Sequence, residues 1–554
     1  MKIFTMRRFT VASAAVAAVA VLAACGSSGG GSSTNTGTGT GTGGGKAPAA
    51  AITSPVNDNH PSGTPKQGGT VTVSYQNTSG FDPAQLGDSG GPGFFDALYG
   101  TLVSQSFDAK LHYSLADSMD PSADGKTWTI HLHQGAKFSD GTVFDSAAVV
   151  WNWKRYQDPA TGALFLNLIK GMTFTATDAQ TVTVTLPDPN FSFPALVAQY
   201  LTYVPEPKYI QDHPNDWRNA APIGAGPFKI TKNTPRVEID MVPNTNWFGD
   251  KPYLDQLIYK AVPSADQSFQ SVLAGNIDAY WAVDAQRDWV KQAQGKGTAI
   301  YQWVVDGGTT LHWNVRQGRP FADKRVRQAL VEAIDPLGLA QAGDSQSTKA
   351  DLVTSLFLPG SPYNDPSLQN LPYNPGDAQK LFSEVAKETG KPVTFTWLLG
   401  INNATWQPKV EYIKSVLDSM QDVKMSIKTL DAPTFVQTQL INHDYDISLR
   451  PNSWFIIDPT VSLADRFQTG ARNNVEGFDD PAMDAALKAI QAAQTDDARV
   501  QAVKDFQKVY YDVIPTWVYS VGVETIFVNP KLTGFDQTVS GYGTPDWTKV
   551  GYVS

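Results

Sequence analysis

Cysteine is almost missing from this 554-residue chain: Cys25 is the only one. That excludes an intramolecular disulfide and a cysteine-built metal site. Positive charge is also in short supply, with 43 Lys and Arg against 53 Asp and Glu, a formal net charge of −10, and no long run of either sign. A nucleic-acid partner would want clustered Lys and Arg on a net basic surface, so none is expected. The apolar run Val11–Ala24 covers 14 residues, too short to span a bilayer comfortably. Histidine is scarce. His131 and His133 share one face of an alternating segment, but no third ligand lies nearby, and they read as a polar strand face rather than a metal site. No cofactor is expected. Between Gly26 and about Pro65 large apolar residues give way to Gly, Ser and Thr, so this stretch cannot bury enough surface to fold and reads as a flexible tether. Its roughly 40 residues would reach about 35 Å.

What the N-terminus does contain is a targeting pattern. Lys2, Arg7 and Arg8 form a basic region ahead of the apolar run, as in a signal peptide. Leu22-Ala23-Ala24-Cys25 resembles a bacterial lipobox, which implies cleavage after residue 24 and a lipid on the thiol of Cys25. Arg7-Arg8 does not choose between export routes.

The rest of the chain is rich enough to fold, with 41% hydrophobic and 11% aromatic residues, and its length calls for two or three domains. The most informative stretch is DGKTWTIHLHQGAKFSDGTVFDSAAVV, Asp124 to Val150. Trp128, Ile130 and Leu132 alternate with Thr129, His131 and His133, the period of a half-buried strand. Asp140-Gly141 supplies a turn, and Asp145 or Ser146 can cap the helix that follows. Similar logic predicts strands at Gly68–Tyr75, Thr181–Leu186, Val393–Leu398 and Asp446–Leu449. Helices are expected around Phe94–Tyr99, Gln267–Ala274 and Val410–Met420. A further Asp323-capped helix has its apolar face at Val326, Ala329, Leu330 and Ala333. Strand and helix alternation implies mixed α/β architecture.

Asp124–Val150 resembles the signature region of the family 5 extracellular solute-binding proteins, the oligopeptide-, dipeptide- and nickel-binding group of ABC importers. Pro222-Ile223-Gly224-Ala225-Gly226-Pro227-Phe228, Lys251-Pro252-Tyr253-Leu254-Asp255 and Pro320–Leu330 with Ala333-Ile334-Asp335 extend the likeness, which covers nearly everything from residue 66 onward. The resemblance implies a two-lobed periplasmic-binding-protein-like α/β fold, its mixed sheets flanked by helices, with an extra subdomain and a hinge. Residues 1–24 are then a signal peptide and 25–65 the lipidated tether. The first lobe takes 66–100, 199–311 and 515–554, the inserted subdomain 101–198, and the second lobe 312–514. It also implies a monomeric receptor held at the outer face of the membrane by its lipid. Such a receptor captures a peptide or similar polar solute between its lobes and delivers it, unaltered, to ABC permease subunits.

Such a receptor needs contacts from both lobes that differ between open and closed forms. Aromatic side chains suit that purpose, offering large rigid surfaces at small entropic cost. The candidates are Tyr75, Asn77, Trp281, Trp397 and Trp454, each tryptophan being equally open to a core or hinge position. In peptide-binding relatives an aspartate shortly after the position of Trp454 pairs with the ligand's α-amine. Here the segment reads Trp454-Phe455-Ile456-Ile457-Asp458-Pro459, so either Asp458 substitutes for that carboxylate or the ligand lacks a free amine. An oligosaccharide is the alternative solute.

One string points elsewhere. Gly87-Asp88-Ser89-Gly90-Gly91-Pro92 resembles the loop around the nucleophile of trypsin-like proteases. Serine catalysis needs a histidine base and a carboxylate that orients it. The only histidine before Ser89 is His60, at the tether, so a Ser89 hydrolase is the disfavoured alternative and a Gly-rich loop the expected one.

Overall fold

The computed structural model describes residues 57–75, 80–85, 93–106, 110–283, 285–400, 406–449, 458–536 and 544–553. They belong to one unit, Ala50–Ser554. Its spine is a ten-stranded mixed sheet. Across the sheet the strands run Val423–Leu430, Val393–Gly400, Ile447–Leu449, Ala299–Trp313, Thr516–Val528, Ala279–Val283, Thr70–Tyr75, Gln256–Ala261, Glu238–Pro243 and Phe228–Thr234.

Two strands hold the halves together. Ala299–Trp313 has 15 residues and Thr516–Val528 has 13, and they pair antiparallel along most of that length. One end of the pair belongs to a core containing Val71, Phe94, Tyr259, Tyr301 and Ile526. The other belongs to a core built from Leu311, Trp313, Phe321, Leu330, Phe395, Trp517 and Tyr519. Trp517 and Tyr519 thus still pack with the second core, and the chain rejoins the first core later than residue 515. A continuous strand carries no local signal at that crossing. The register breaks between Val305 and Thr309, and an irregularity of this kind bends and twists a strand pair. Gly308 has φ +41°, and a Cβ there would stand 1.9 Å from the Ser520 carbonyl oxygen, so only glycine fits.

A separate four-stranded antiparallel sheet is ordered Ala116–Pro121, Thr127–Leu132, Thr181–Thr185 and Thr173–Asp178, within the stretch expected as an inserted subdomain. Trp128, Ile130 and Leu132 are buried in its core with Trp153, as the alternation requires. Helix Ser146–Gln157 packs on this sheet, its N-terminus capped by Asp145, which accepts the Ala148 N–H at 2.9 Å. Trp153 donates its indole N–H to the Leu201 carbonyl at 2.9 Å, satisfying a polar group that burial would otherwise penalise.

Local expectations hold elsewhere too. Helix Lys324–Ala333 is capped by Asp323 and buries Val326, Ala329, Leu330 and Ala333. Helices Phe94–Tyr99, Ala265–Leu273 and Gln407–Asp418 form where the periodicity puts them. Among the described residues no helix is long and apolar enough to cross a membrane.

Candidate functional site

Register decides where a solute could sit between the halves. In the first half Thr70–Tyr75 and Ala279–Val283 are parallel neighbours, and Ala279–Val283 points the same way as Ala299–Trp313, both being antiparallel to Thr516–Val528. In the second half Ile447–Leu449 is antiparallel to Ala299–Trp313 and parallel to Val393–Gly400. The carboxyl ends of strands from the two halves therefore face one another across the bulge at 306–308. Val283 is level with Glu524, and Leu449 with Leu311 and Trp517. Seven strand steps separate Trp517 from Glu524, about 23 Å. In open α/β sheets the carboxyl ends of strands are where ligands bind; here two sets of such ends share one gap.

One face of the sheet at this gap carries a specific group of side chains. Glu524 is directly opposite Val283 on one side and Trp303 on the other, and Ile526, one step along on the same face, is opposite Trp281 and Tyr301. Directly opposed residues share a face, so Trp281, Trp303 and Glu524 stand together, continuing the face of Tyr301, Ile526 and Val528 toward the hinge. Glu524 is 6% exposed, and both tryptophans are partly buried against the first core. The Trp281 ring lies 5.8 Å from Phe535 and 6.5 Å from Trp547. Burial, then the charges of Asp266 and Glu524, push the Tyr280 phenol up. Trp303 and Glu524 were missed from sequence. The signal was the alternation of Glu524, Ile526 and Val528, which places a carboxylate on an otherwise apolar face.

At the bulge itself Asp306 accepts the Leu358 N–H at 2.7 Å. Burial raises its carboxyl to about 6, against the lowering effect of that bond and of one with Ser361.

The remaining candidates divide. Asp458 is 8% exposed and caps helix Pro459–Phe467, accepting the Thr460 N–H at 2.8 Å. Asp-Pro at a helix start is a capping sequence, and this role stands beside the expectation that Asp458 replaces an amine-binding carboxylate. Trp397 is fully buried in the second core, on the strand face of Phe395, whose ring meets Phe321 at 4.9 Å. It is covered in this structure, the core position that was one of the two expectations for it. The period of two that makes Val393–Gly400 a strand sends it into the core. Tyr75 ends its strand, its backbone paired in register with Ala261. Asn77, Trp454, Cys25 and Ser89 lie outside the described residues.

The residues that follow the four-stranded sheet touch the helices after Asp458. Thr460 Oγ1 lies 3.1 Å from Ser192 Oγ, and the Tyr200 hydroxyl donates to Asp465 at 2.9 Å. The Phe191 N–H donates to the Gln491 carbonyl at 2.9 Å. His133 pairs with Asp117 at 2.8 Å and His131 lies 3.9 Å from Asp120, so each has a carboxylate neighbour of its own. Among the described residues no group of three metal-binding side chains occurs. Two cavities are lined by neither Trp281, Trp303 nor Glu524. One, of about 730 Å³, is bordered by Asp96, Asp117, His133, Trp247 and Trp547. The other, of about 790 Å³, follows the hairpin around Arg236. Neither includes a candidate named above.

Comparison with known proteins agrees with this layout. Residues 110–474 match the sequence model of the bacterial extracellular solute-binding proteins, family 5. The glutathione-binding protein GsiB of Pectobacterium atrosepticum is 28% identical over 476 residues, covering 82% of this chain and 88% of that one. Its Escherichia coli counterpart is 27% identical over 368 residues, covering 65% and 69%. Three solved structures share the fold. The binding protein AgaA of A. tumefaciens, in complex with agropinic acid, has a TM-score of 0.77 at 23% identity, covering 88% of this chain and 99% of that one. DppA of Helicobacter pylori, in complex with the peptide STSA, has 0.75 at 18%, with the same coverage. AppA of Bacillus subtilis, in complex with a nonapeptide, has 0.74 at 18%, covering 89% and 100%. With a two-halved mixed sheet, facing strand ends and a family match over most of its length, this chain belongs to the family 5 bacterial extracellular solute-binding proteins, the solute receptors of ABC importers.

Proposed function

We propose that this receptor captures a small peptide by closing its lobes about the bulge at 306–308, and passes it unmodified to a membrane permease. The observation that carries the reading is the facing of strand ends from both halves around Trp281, Trp303 and Glu524. Contacts from both sides of a hinge are what let a ligand favour the closed form. Tyr75, Asn77 and Trp454 are further ligand contacts in this reading. The relatives named for glutathione, and the neighbours solved with peptides, support a peptide as the solute. An oligosaccharide is the second reading, because the indoles of Trp281 and Trp303, on one sheet face, would stack equally well on sugar rings. In this reading the protein acts as a monomer on the outer face of the membrane, anchored by a lipid on Cys25. It performs no chemistry on its solute.

The test is small-angle scattering of the purified protein, with native mass spectrometry of whatever co-purifies. A bound peptide, and a smaller radius of gyration when it is restored to stripped protein, are expected. A protein whose radius responds to no peptide and no sugar would overturn the reading.

A further inference from the structure

We infer that the cavity bordered by Asp96, Trp247 and Phe248 is a second binding site, for a small organic cation, apart from the gap between the two halves of the sheet. It goes beyond the receptor reading and does not depend on it.

Place is the first support. The cavity has a volume of about 730 Å³, the size that encloses a small molecule. The described residues that line it fall in 96–133, 227–250 and 545–548, and none falls in 312–514. A molecule held there touches nothing of the second core, so its binding calls for no movement of the lobes.

Charge is the second. Four aspartates line the cavity, with no Lys or Arg among the described lining residues, so an anion finds no fixed positive charge to meet it. Asp117 already pairs with His133 at 2.8 Å, and Asp250 with Lys549. Asp96 differs. It is 8% exposed, accepts the Tyr203 hydroxyl at 3.1 Å and a bond from the Thr544 side chain, and has Asp546 as a like-charged neighbour. Among the described residues it has no cationic partner. Burial pushes its carboxyl up to about 6, against the lowering effect of those two bonds. An ammonium beside it would favour the ionised form.

The walls are the third. Trp247 and Phe248 have ring centroids 4.5 Å apart, and His133 stacks on Phe248 at 4.3 Å. Phe248 is nevertheless 36% exposed and Tyr113, also on the border, 40%. Trp547 is fixed in orientation by donating its indole N–H to the Gly93 carbonyl at 2.8 Å. The Trp247 indole N–H is covered and, among the described residues, has no acceptor; a buried donor left open at a cavity wall is a place for an oxygen of the ligand. Aromatic faces attract cations, so these walls around a carboxylate select an ammonium or guanidinium on an apolar stem. No group of three metal-binding side chains occurs among the described residues, which favours an organic cation over a metal ion.

The test is calorimetry on the full chain with phenylalaninol, its deaminated counterpart 3-phenylpropan-1-ol, and the anion 3-phenylpropionate. The wild type is compared with Phe248→Ala and with Asp96→Asn, which keeps an acceptor for the Tyr203 hydroxyl. Tyr373→Ala, an exposed ring outside the cavity, is the control. The wild type is expected to bind phenylalaninol at least about tenfold more tightly than 3-phenylpropan-1-ol, and 3-phenylpropionate more weakly still. Asp96→Asn should lose that preference, and Phe248→Ala should weaken phenylalaninol about threefold or more, with Tyr373→Ala unchanged. The radius of gyration should stay constant as phenylalaninol binds. Binding without preference for the amine, or no binding of phenylalaninol, overturns the inference. So does wild-type affinity for it in Phe248→Ala with an unchanged thermal melt, a result that decides the matter even where Asp96→Asn folds poorly. A radius that shrinks on phenylalaninol places the amine between the lobes, which removes this site and leaves the receptor reading standing.

Discussion

Asp458 accepts a hydrogen bond from the Thr460 backbone N–H at 2.8 Å, and Pro459 follows it at the first position of helix Pro459–Phe467. A side chain spent on a helix start is defined by its acceptor oxygen, not by its charge. Asp458→Ala is therefore expected to cost about 1 kcal/mol of stability, while Asp458→Asn, an equally good cap, stays close to wild type. Urea denaturation measures both. Asp458→Asn should also leave solute affinity unchanged. Affinity lost with stability intact would return Asp458 to the site.

Gly308 is a second position where one atom decides the outcome. Its φ is +41°, and an added Cβ would meet the Ser520 carbonyl oxygen at 1.9 Å. Both belong to the strand pair that links the halves. Gly308→Ala must shift that pairing, at a cost of about 2 kcal/mol or more. Gly318→Ala is the comparison: its φ is +87°, but nothing lies within 4 Å of the added carbon, so it isolates backbone strain from the clash. The thermal melt should fall further for Gly308→Ala, and scattering should show an altered closure only for that variant.

Much of this fold was legible because its elements are locally consistent. The alternation of Trp128, Ile130 and Leu132 made a strand, and Asp145 and Asp323 capped the helices they precede. The site was less legible, for two physical reasons. A strand face is fixed by period two, but the period does not say whether that face meets a core or a groove, so Trp397 entered the second core. Glu524 and Trp303 are adjacent only because strands more than 200 residues apart in sequence pair in one register, and no local pattern encodes that. Asp458-Pro459 is ambiguous in another way, since the same two residues serve equally well as a ligand contact and as a helix start.

The N-terminus gives a prediction that depends on sequence alone. If Leu22-Ala23-Ala24-Cys25 directs lipidation, Cys25→Ser should move the protein from the membrane fraction to the soluble one and abolish incorporation of an alkyne-labelled fatty acid. Solute affinity should not change, because Cys25 is not among the residues proposed to touch the solute. Retention of Cys25→Ser in the membrane fraction would sink the lipid anchor.

Asp306 connects the hinge to pH. Burial raises its carboxyl from 3.8 to about 6, so between those values the folded protein binds a proton that the unfolded chain has released. Stability from this group is therefore fully present below about pH 4 and falls as pH rises through 6, the opposite of a salt-bridged carboxylate. The full change corresponds to ~3 kcal/mol. Asp306→Asn keeps an acceptor for the Leu358 N–H without the ionisation. It should match wild type near pH 4 and exceed it above pH 7, where the wild type has had to bury a charge. Urea unfolding of both proteins at pH 4.5 and 7.5 measures the difference. A stability gap between them that is the same at the two pH values would show that Asp306 titrates alike in the folded and unfolded chain.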